Sequence, residues 1–197
     1  MVLDLDLRRL TLQGKPILHD IRLHLRRSET LALVGPSGIG KTSLLRVIAG
    51  LNTAFEGHCT LKGSCAVVFQ EPRLLPWVNA LRNICVTTGV SPEQARRAIA
   101  EVDLGGRETD FPDQLSLGQQ RRLALARALS AKPDLLLLDE PFVSLDPAMA
   151  EDMMTLFTQM RDRHNITTIL VSHVEAEARR LADRIVTLSG SPASLVS

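Results

Sequence analysis

Apolar and polar residues follow two different periods along this chain, and the change of period marks out its elements. In "LDLRRLTL" (5–12) and "IRLHLRR" (21–27) the period is two, so Ile21, Leu23 and Leu25 face one side and Arg22, His24 and Arg26 the other. This predicts a half-exposed antiparallel sheet in which His24 is a solvated strand residue, while His19, His58 and His164 fall in turn-like stretches. Aliphatic runs of strand length follow at "TLALVG" (30–35), "LLLLD" (135–139), "TTILVS" (167–172) and "RIVTLS" (184–189); such runs suit strands covered on both faces. Helical spacing occupies "KTSLLRVIAG" (41–50), "SPEQARRAIAEVDL" (91–104), "GQQRRLALARALSA" (118–131), a run starting at Asp146–Pro147, and another from about Val174. In the fourth of these, Met149, Met153, Leu156, Phe157 and Met160 form one stripe, which reads as core packing and not as a cofactor box.

Strands alternating with helices predict an α/β fold, a mostly parallel sheet flanked by helices, with the antiparallel β part at its N-terminus. Strand signals vanish from about Pro76 to Lys132, so that segment reads as a helical lobe inserted into the sheet domain. The expected organisation is a single domain over 1–197, with the sheet core at 1–75 and 133–197 and the helical part at 76–132.

Composition narrows the class. With 197 residues, 45% of them hydrophobic, the chain can bury a core without staples. Its three cysteines, Cys59, Cys65 and Cys85, are odd in number and lack C-x-x-C spacing, which argues against a disulfide framework or zinc site and fits a reducing compartment. A formal charge of +1 without a basic block gives no footprint for nucleic acid. The start, "MVLDLDLRRL", has no basic segment followed by an apolar core and so is not expected to be a secretory signal, and no run approaches the ~20 apolar residues of a membrane span.

The chemistry is concentrated in "LALVGPSGIGKTSLLRVIAG" (31–50). Gly35, Pro36, Ser37, Gly38, Ile39, Gly40, Lys41 and Thr42 fit G-x-x-x-x-G-K-[ST], the P-loop pattern, and they stand where the pattern needs them, between a strand and a helix. The glycines let successive N–H groups turn inward around phosphate oxygens. The helix start favours an anion, Lys41 adds a mobile cation, and Thr42 adds an oxygen for Mg²⁺.

Three other strands end in groups that suit the same ligand. Asp139 and Glu140 close "LLLLDE", where Asp139 could hold Mg²⁺ through water and Glu140 could polarise an attacking water; the alternative for a bare dipeptide is a solvated strand end. His173 closes "ILVSH" and could contact a terminal phosphate, and Gln70 closes "AVVFQ" with an amide able to bind metal or water. Ser116, Leu117, Gly118 and Gln119 precede a strong helix, which makes either a second anion site or simple helix capping.

The P-loop, Gln70, "LSLGQ", "LLLLDEP", "SLD" and His173, in this order over nearly the whole chain, resemble the nucleotide-binding subunits of ABC transporters. The resemblance implies a P-loop NTPase of the ABC type that works as a pair, two ATP molecules lying between one subunit's P-loop and the other's signature motif. Residues Gly35 to Ser43 would then bind ATP, with Thr42, Gln70 and Asp139 attending Mg²⁺, Glu140 as catalytic base and His173 sensing the γ-phosphate. Ser116, Leu117, Gly118 and Gln119 would act in trans and Asp146 would lie at the dimer seam. The stretch "VFQEPRLLPWVNALRNI" is most similar to importers of the nitrate, sulfonate and taurine type, with Trp77 a candidate contact for a membrane permease. Such a subunit sits on the cytoplasmic face of the membrane, bound to that permease, with a separate solute-binding protein and no nucleic acid as partner.

Three positions depart from the family pattern. Leu117 replaces the first glycine of the signature, Leu12 stands where an aromatic ring stacks on adenine, and Val174 replaces an acid after the histidine. Leu117 is expected to narrow the backbone choices and slow hydrolysis, and Leu12, in a chain without tyrosine, to weaken base selectivity. The rival readings are a soluble ABC ATPase of DNA repair or translation, a P-loop kinase, and a binding-only subunit. The first lacks a coiled-coil insertion, the second leaves "LSLGQ" and Glu140 unexplained, and Lys41, Glu140 and His173 speak against the third.

Overall fold

The alternation read at the N-terminus becomes a pair of long strands. Strand β1 (Leu3–Leu12) and β2 (Lys15–Leu25) pair antiparallel, Leu5 opposite Leu23 and Leu7 opposite Ile21. The computed structural model, which describes residues 1–196, buries Leu3, Leu5, Leu7, Ile21 and Leu25 completely and leaves Arg22, His24 and Arg26 exposed. Each such leucine removed from water contributes about 1.5–3 kcal/mol, so this face is a principal source of the fold's stability. The outward face carries charge; His24 lies 3.0 Å from Asp4.

Strand β3 (Thr30–Val34) runs into α1 (Lys41–Ile48), and β4 (Phe55–Leu61) returns to pair antiparallel with β1. After β5 (Cys65–Val68) come α2 (Ala80–Thr88), α3 (Pro92–Glu101), α4 (Leu117–Ser130), β6 (Leu135–Asp139), α5 (Pro147–His164), β7 (Thr167–Ser172), α6 (Glu175–Leu181), β8 (Arg184–Gly190) and β9 (Ala193–Val196). Among the described residues nine strands form one sheet in the order β4-β1-β2-β9-β8-β3-β7-β6-β5. Within it β3 pairs in parallel with β7 and β8, and β6 in parallel with β7. His19 and His58, expected in turns, are strand residues of β2 and β4.

The chain divides into two compact units. The first comprises Met1–Val67, Asp134–Glu140 and the described residues from Asn165 on; the second comprises Val68–Pro133 and Pro141–His164. The first holds a continuous apolar cluster from β1, β2, β3, α1, β6, β7 and β8, including Leu44, Leu137, Ile169 and Leu188. In the second, α2, α3 and α4 pack on one another, with Ile84, Ile99 and Leu123 fully buried. The sequence-based boundary of 76–132 left the segment that became α5 with the sheet; compactness groups α5 with the other helices. The three cysteines are half-buried and free, and burial pushes the Cys65 thiol up to about 11, so it is held as an inert thiol.

Candidate functional site: the P-loop edge and the signature helix

In the first unit the parallel register dictates which residues meet. Val34 is aligned with Ser172, and Asp139 with Val171, so the chain leaves β3, β6 and β7 along one edge. Directly beyond the ends of these three strands stand the P-loop, Glu140 and His173 respectively. Open parallel sheets bind ligands at this edge.

The loop depends on two glycines that tolerate no substitute. At Gly35 (φ 152°) an added Cβ would stand 2.7 Å from the Leu188 carbonyl oxygen, and at Gly40 (φ 114°) it would stand 2.7 Å from a Leu18 methyl. Gly40 is also the N-cap of α1 and provides no side-chain cap, so the first N–H groups of that helix stay available. Lys41 is 4% exposed. Its Nζ donates to the carbonyls of Gly35 (2.8 Å) and Pro36 (3.0 Å) and lies 3.5 Å from Glu140 Oε1.

Glu140 is the centre of the cluster. Its backbone takes the left-handed region (φ 48°), which costs a residue with a Cβ on the order of 1 kcal/mol, and its N–H donates to the Val171 carbonyl at 3.0 Å. His173 Nδ1 lies 3.0 Å from Glu140 Oε2. Beside them Thr42 Oγ1 donates to Asp139 Oδ1 at 3.1 Å. Burial is the main cause that raises the pKa of Asp139, with Glu140 also raising it and the Thr42 hydrogen bond opposing. A buried carboxylate next to a hydroxyl, short of compensating charge, fits a hard divalent cation. Among the described residues no group of three or more His, Cys, Asp or Glu could hold a metal, so such an ion would rest on these two oxygens, water and a polyphosphate.

Gln70, Ser116 to Gln119 and Asp146 belong to the second unit. Gln70 is exposed and lies two residues beyond β5, which stops at Val68. Ser116 is the N-cap of α4 in a full capping box: its Oγ accepts from the Gln119 N–H at 3.3 Å, and Gln119 Oε1 accepts from the Ser116 N–H at 2.9 Å. Ser116 therefore caps α4. Leu117 is the first helical residue and 43% exposed, so a leucine fits there without backbone strain. At Gly118 a Cβ would stand 2.5 Å from Met149 Sδ, so a side chain there requires the flexible methionine to move. Asp146 is exposed and its Oδ1 caps α5 by accepting from the Met149 N–H at 2.9 Å. Leu12, at the end of β1, is half-buried against the apolar cluster of the first unit.

Three residues of the second unit carry interactions that sequence reasoning did not single out. Met149 was read only as part of the α5 stripe. Arg121, 5% exposed, donates to the Pro141 carbonyl at 3.3 Å and leaves its Nε without a partner. Arg127 donates to the carbonyls of Pro72 and Arg73, each at 2.9 Å. Burial lowers the pKa of both arginines. The available signal was local for Arg127 alone: in "LALARAL" (123–129) it stands between leucines and alanines, whereas Arg121 lies beside Gln120 and Arg122 and carries no such signal.

Comparisons with known proteins identify the family. The family model described as ABC transporter matches residues 18–143. The chain is 47% identical over 178 residues to the aliphatic sulfonates import ATP-binding protein SsuB 2 of Rhizobium johnstonii, covering 88% of this chain and 72% of the relative. It is 39% identical over 196 residues to the protein of the same name in Pseudomonas syringae pv. tomato, covering 98% and 84%. The solved structure of the ATP-binding cassette MJ0796, dimeric in a post-hydrolysis state with ADP and Pi, superposes with a TM-score of 0.85 at 25% identity, covering 99% of this chain and 97% of that one. No helix among the described residues is long and apolar enough to cross a membrane. With the family model spanning well over half of its length and such relatives covering nearly all of it, this chain belongs to the ABC transporter family.

Proposed function

We propose that this chain is the ATP-hydrolysing subunit of an importer for small organic anions of the aliphatic sulfonate kind. The observation that carries the proposal is the placement of Lys41, Thr42, Asp139, Glu140 and His173 along one sheet edge, where Thr42 bonds Asp139, His173 meets Glu140 at 3.0 Å and Lys41 lies 3.5 Å from Glu140. The sulfonate class is supported by the relatives' names, which specify aliphatic sulfonates import.

In this reading the backbone amides of Gly35 to Ser43 bind the phosphates of ATP, and Lys41 exchanges its loop carbonyls for phosphate oxygens. Thr42 and Asp139, with Gln70, would hold Mg²⁺, which would supply charge neutralisation on the phosphates. Glu140 takes a proton from the attacking water, and His173 orients that carboxylate and contacts the terminal phosphate. A second copy supplies Ser116, Leu117, Gly118 and Gln119 to the same nucleotide, with Asp146 at the seam. ATP closes the pair and hydrolysis reopens it, moving a separate membrane permease between two access states. The chain then works at the cytoplasmic face, with a solute-binding protein delivering the anion from the other side.

The test is Glu140→Gln, which keeps the shape and removes the base. The variant should accumulate an ATP-bound dimer on size exclusion while its turnover falls by at least 100-fold, the scale of a lost general base. Equal turnover in variant and wild type would remove Glu140 from that role.

A further inference from the structure

Gln70 sits in a segment, Phe69 to Arg73, that is closed on itself and fastened from outside. Arg73 takes left-handed backbone angles (φ 47°), unfavourable for a residue with a Cβ. Its guanidinium folds back over the Phe69 ring, 4.1 Å from the centroid, so a cation–π stack joins the residues on either side of Gln70. The strained turn is held by Arg127, whose Nη2 donates to the Pro72 carbonyl and Nη1 to the Arg73 carbonyl, both at 2.9 Å. Two prongs of one planar group meeting two consecutive carbonyls is a geometry that arginine offers and lysine does not. Arg127 lies near the end of α4, whose first turn carries the Ser116 capping box.

We propose that Arg127 is a positioning residue for Gln70: it locks the Pro72–Arg73 turn to α4, so the Gln70 amide is presented from a fixed turn on the helix that begins at Ser116. The inference rests on the reading of Gln70 as a group that attends Mg²⁺. Phe69, Gln70, Pro72, Arg73 and Arg127 all belong to the second unit, whereas the P-loop belongs to the first. Loss of the clamp therefore weakens the metal's surroundings and leaves the P-loop's hold on ATP intact.

The experiment compares wild type, Gln70→Ala, Arg127→Met, the double variant and Arg127→Lys. Each is measured by Mg²⁺ titration of ATPase at saturating ATP, by the KM for ATP, and by Tm. Trp77, the single tryptophan in a chain without tyrosine, lies four residues past Arg73 and reports the segment by its fluorescence when Mg²⁺ and a non-hydrolysable ATP analogue are added. Gln70→Ala and Arg127→Met should each raise the half-saturating Mg²⁺ about tenfold, the usual cost of disturbing a metal's outer support, with the ATP KM changed less than about threefold. The double variant should be no worse than Gln70→Ala alone, Arg127→Lys should recover part of the loss, and the Trp77 response should shrink in step.

Additive losses in the double variant, or a lower Tm for Arg127→Met with unaltered Mg²⁺ dependence, would overturn the proposal while leaving the ATPase reading in place. If Gln70→Ala does not change the Mg²⁺ dependence, the metal role of Gln70 fails and this inference fails with it; Glu140→Gln still decides the ATPase reading on its own. Should Arg127→Met not fold, Arg73→Ala tests the same clamp through the Phe69 stack. It should raise the half-saturating Mg²⁺ about threefold in wild type and not at all in the Gln70→Ala background; any other pattern counts against the clamp.

Discussion

Asp139 sets folding against chemistry. It is 6% exposed, and burial raises its pKa, so the folded chain holds that proton more tightly than the unfolded chain does. Between the ordinary carboxylate range and the raised value the folded state binds more protons. Stability from this group is therefore present at acid pH, is lost as pH rises through that window, and becomes a cost at neutral pH. Asp139→Asn should accordingly raise the Tm at pH 7 without nucleotide. The gain should shrink toward pH 4 as the wild-type carboxyl takes up its proton, while Mg²⁺-dependent ATP hydrolysis is lost. A lower Tm at pH 7, measured by scanning calorimetry, would contradict the assigned cost. Residues of this kind were legible from sequence because their type and their place at the end of an apolar strand coincide. The left-handed backbone of Glu140 was not, since a φ of 48° at a glutamate follows from its neighbours and not from its own identity.

At the scale of elements, α4 and α5 explain each other. The first turn of α5, capped by Asp146, places Met149 against the first turn of α4 at Gly118. Gly118→Ala should displace the Met149 side chain and slow ATP turnover by disturbing the signature turn, at a stability cost of about 1 kcal/mol or less because the thioether is flexible. The double variant Gly118→Ala, Met149→Ala should regain most of both losses, read by urea unfolding and steady-state ATPase. If Met149→Ala merely adds to the damage, this contact does not set the requirement for glycine. The period of the α5 stripe foretold the buried Met153, Leu156, Phe157 and Met160, but Met149 is only half-buried and its partner lies thirty-one residues away in sequence. Strand β4 escaped sequence reading for a related reason. "FEGHCTL" has little apolar pattern of its own and is a strand because β1 pairs with it. Helix α2 escaped as well: "ALRNICVTT" is rich in β-branched and polar residues, and its start rests on the Asn79 side chain accepting the Arg82 N–H.

At the scale of the molecule, the P-loop, Thr42, Asp139, Glu140 and His173 belong to the first unit, and Gln70, the Ser116 turn and Asp146 to the second. The order of motifs along the chain conveyed the family, and the family model and relatives agree with it. The clamp of Arg127 on the Pro72–Arg73 turn was beyond the reach of that order, because hydrogen bonds from a side chain to backbone carbonyls leave no trace in residue type at the accepting end. The proposal that one ATP is gripped by the P-loop of one copy and the Ser116 turn of another is tested most directly by paired cysteines. With Ser37→Cys and Ser116→Cys in the Glu140→Gln background, and the native Cys59, Cys65 and Cys85 replaced by serine or alanine, mild oxidation with Mg²⁺ and ATP should give a disulfide-linked dimer on non-reducing gels, and little without ATP. A disulfide formed only within single chains, or none at all in the presence of ATP, would contradict the shared grip.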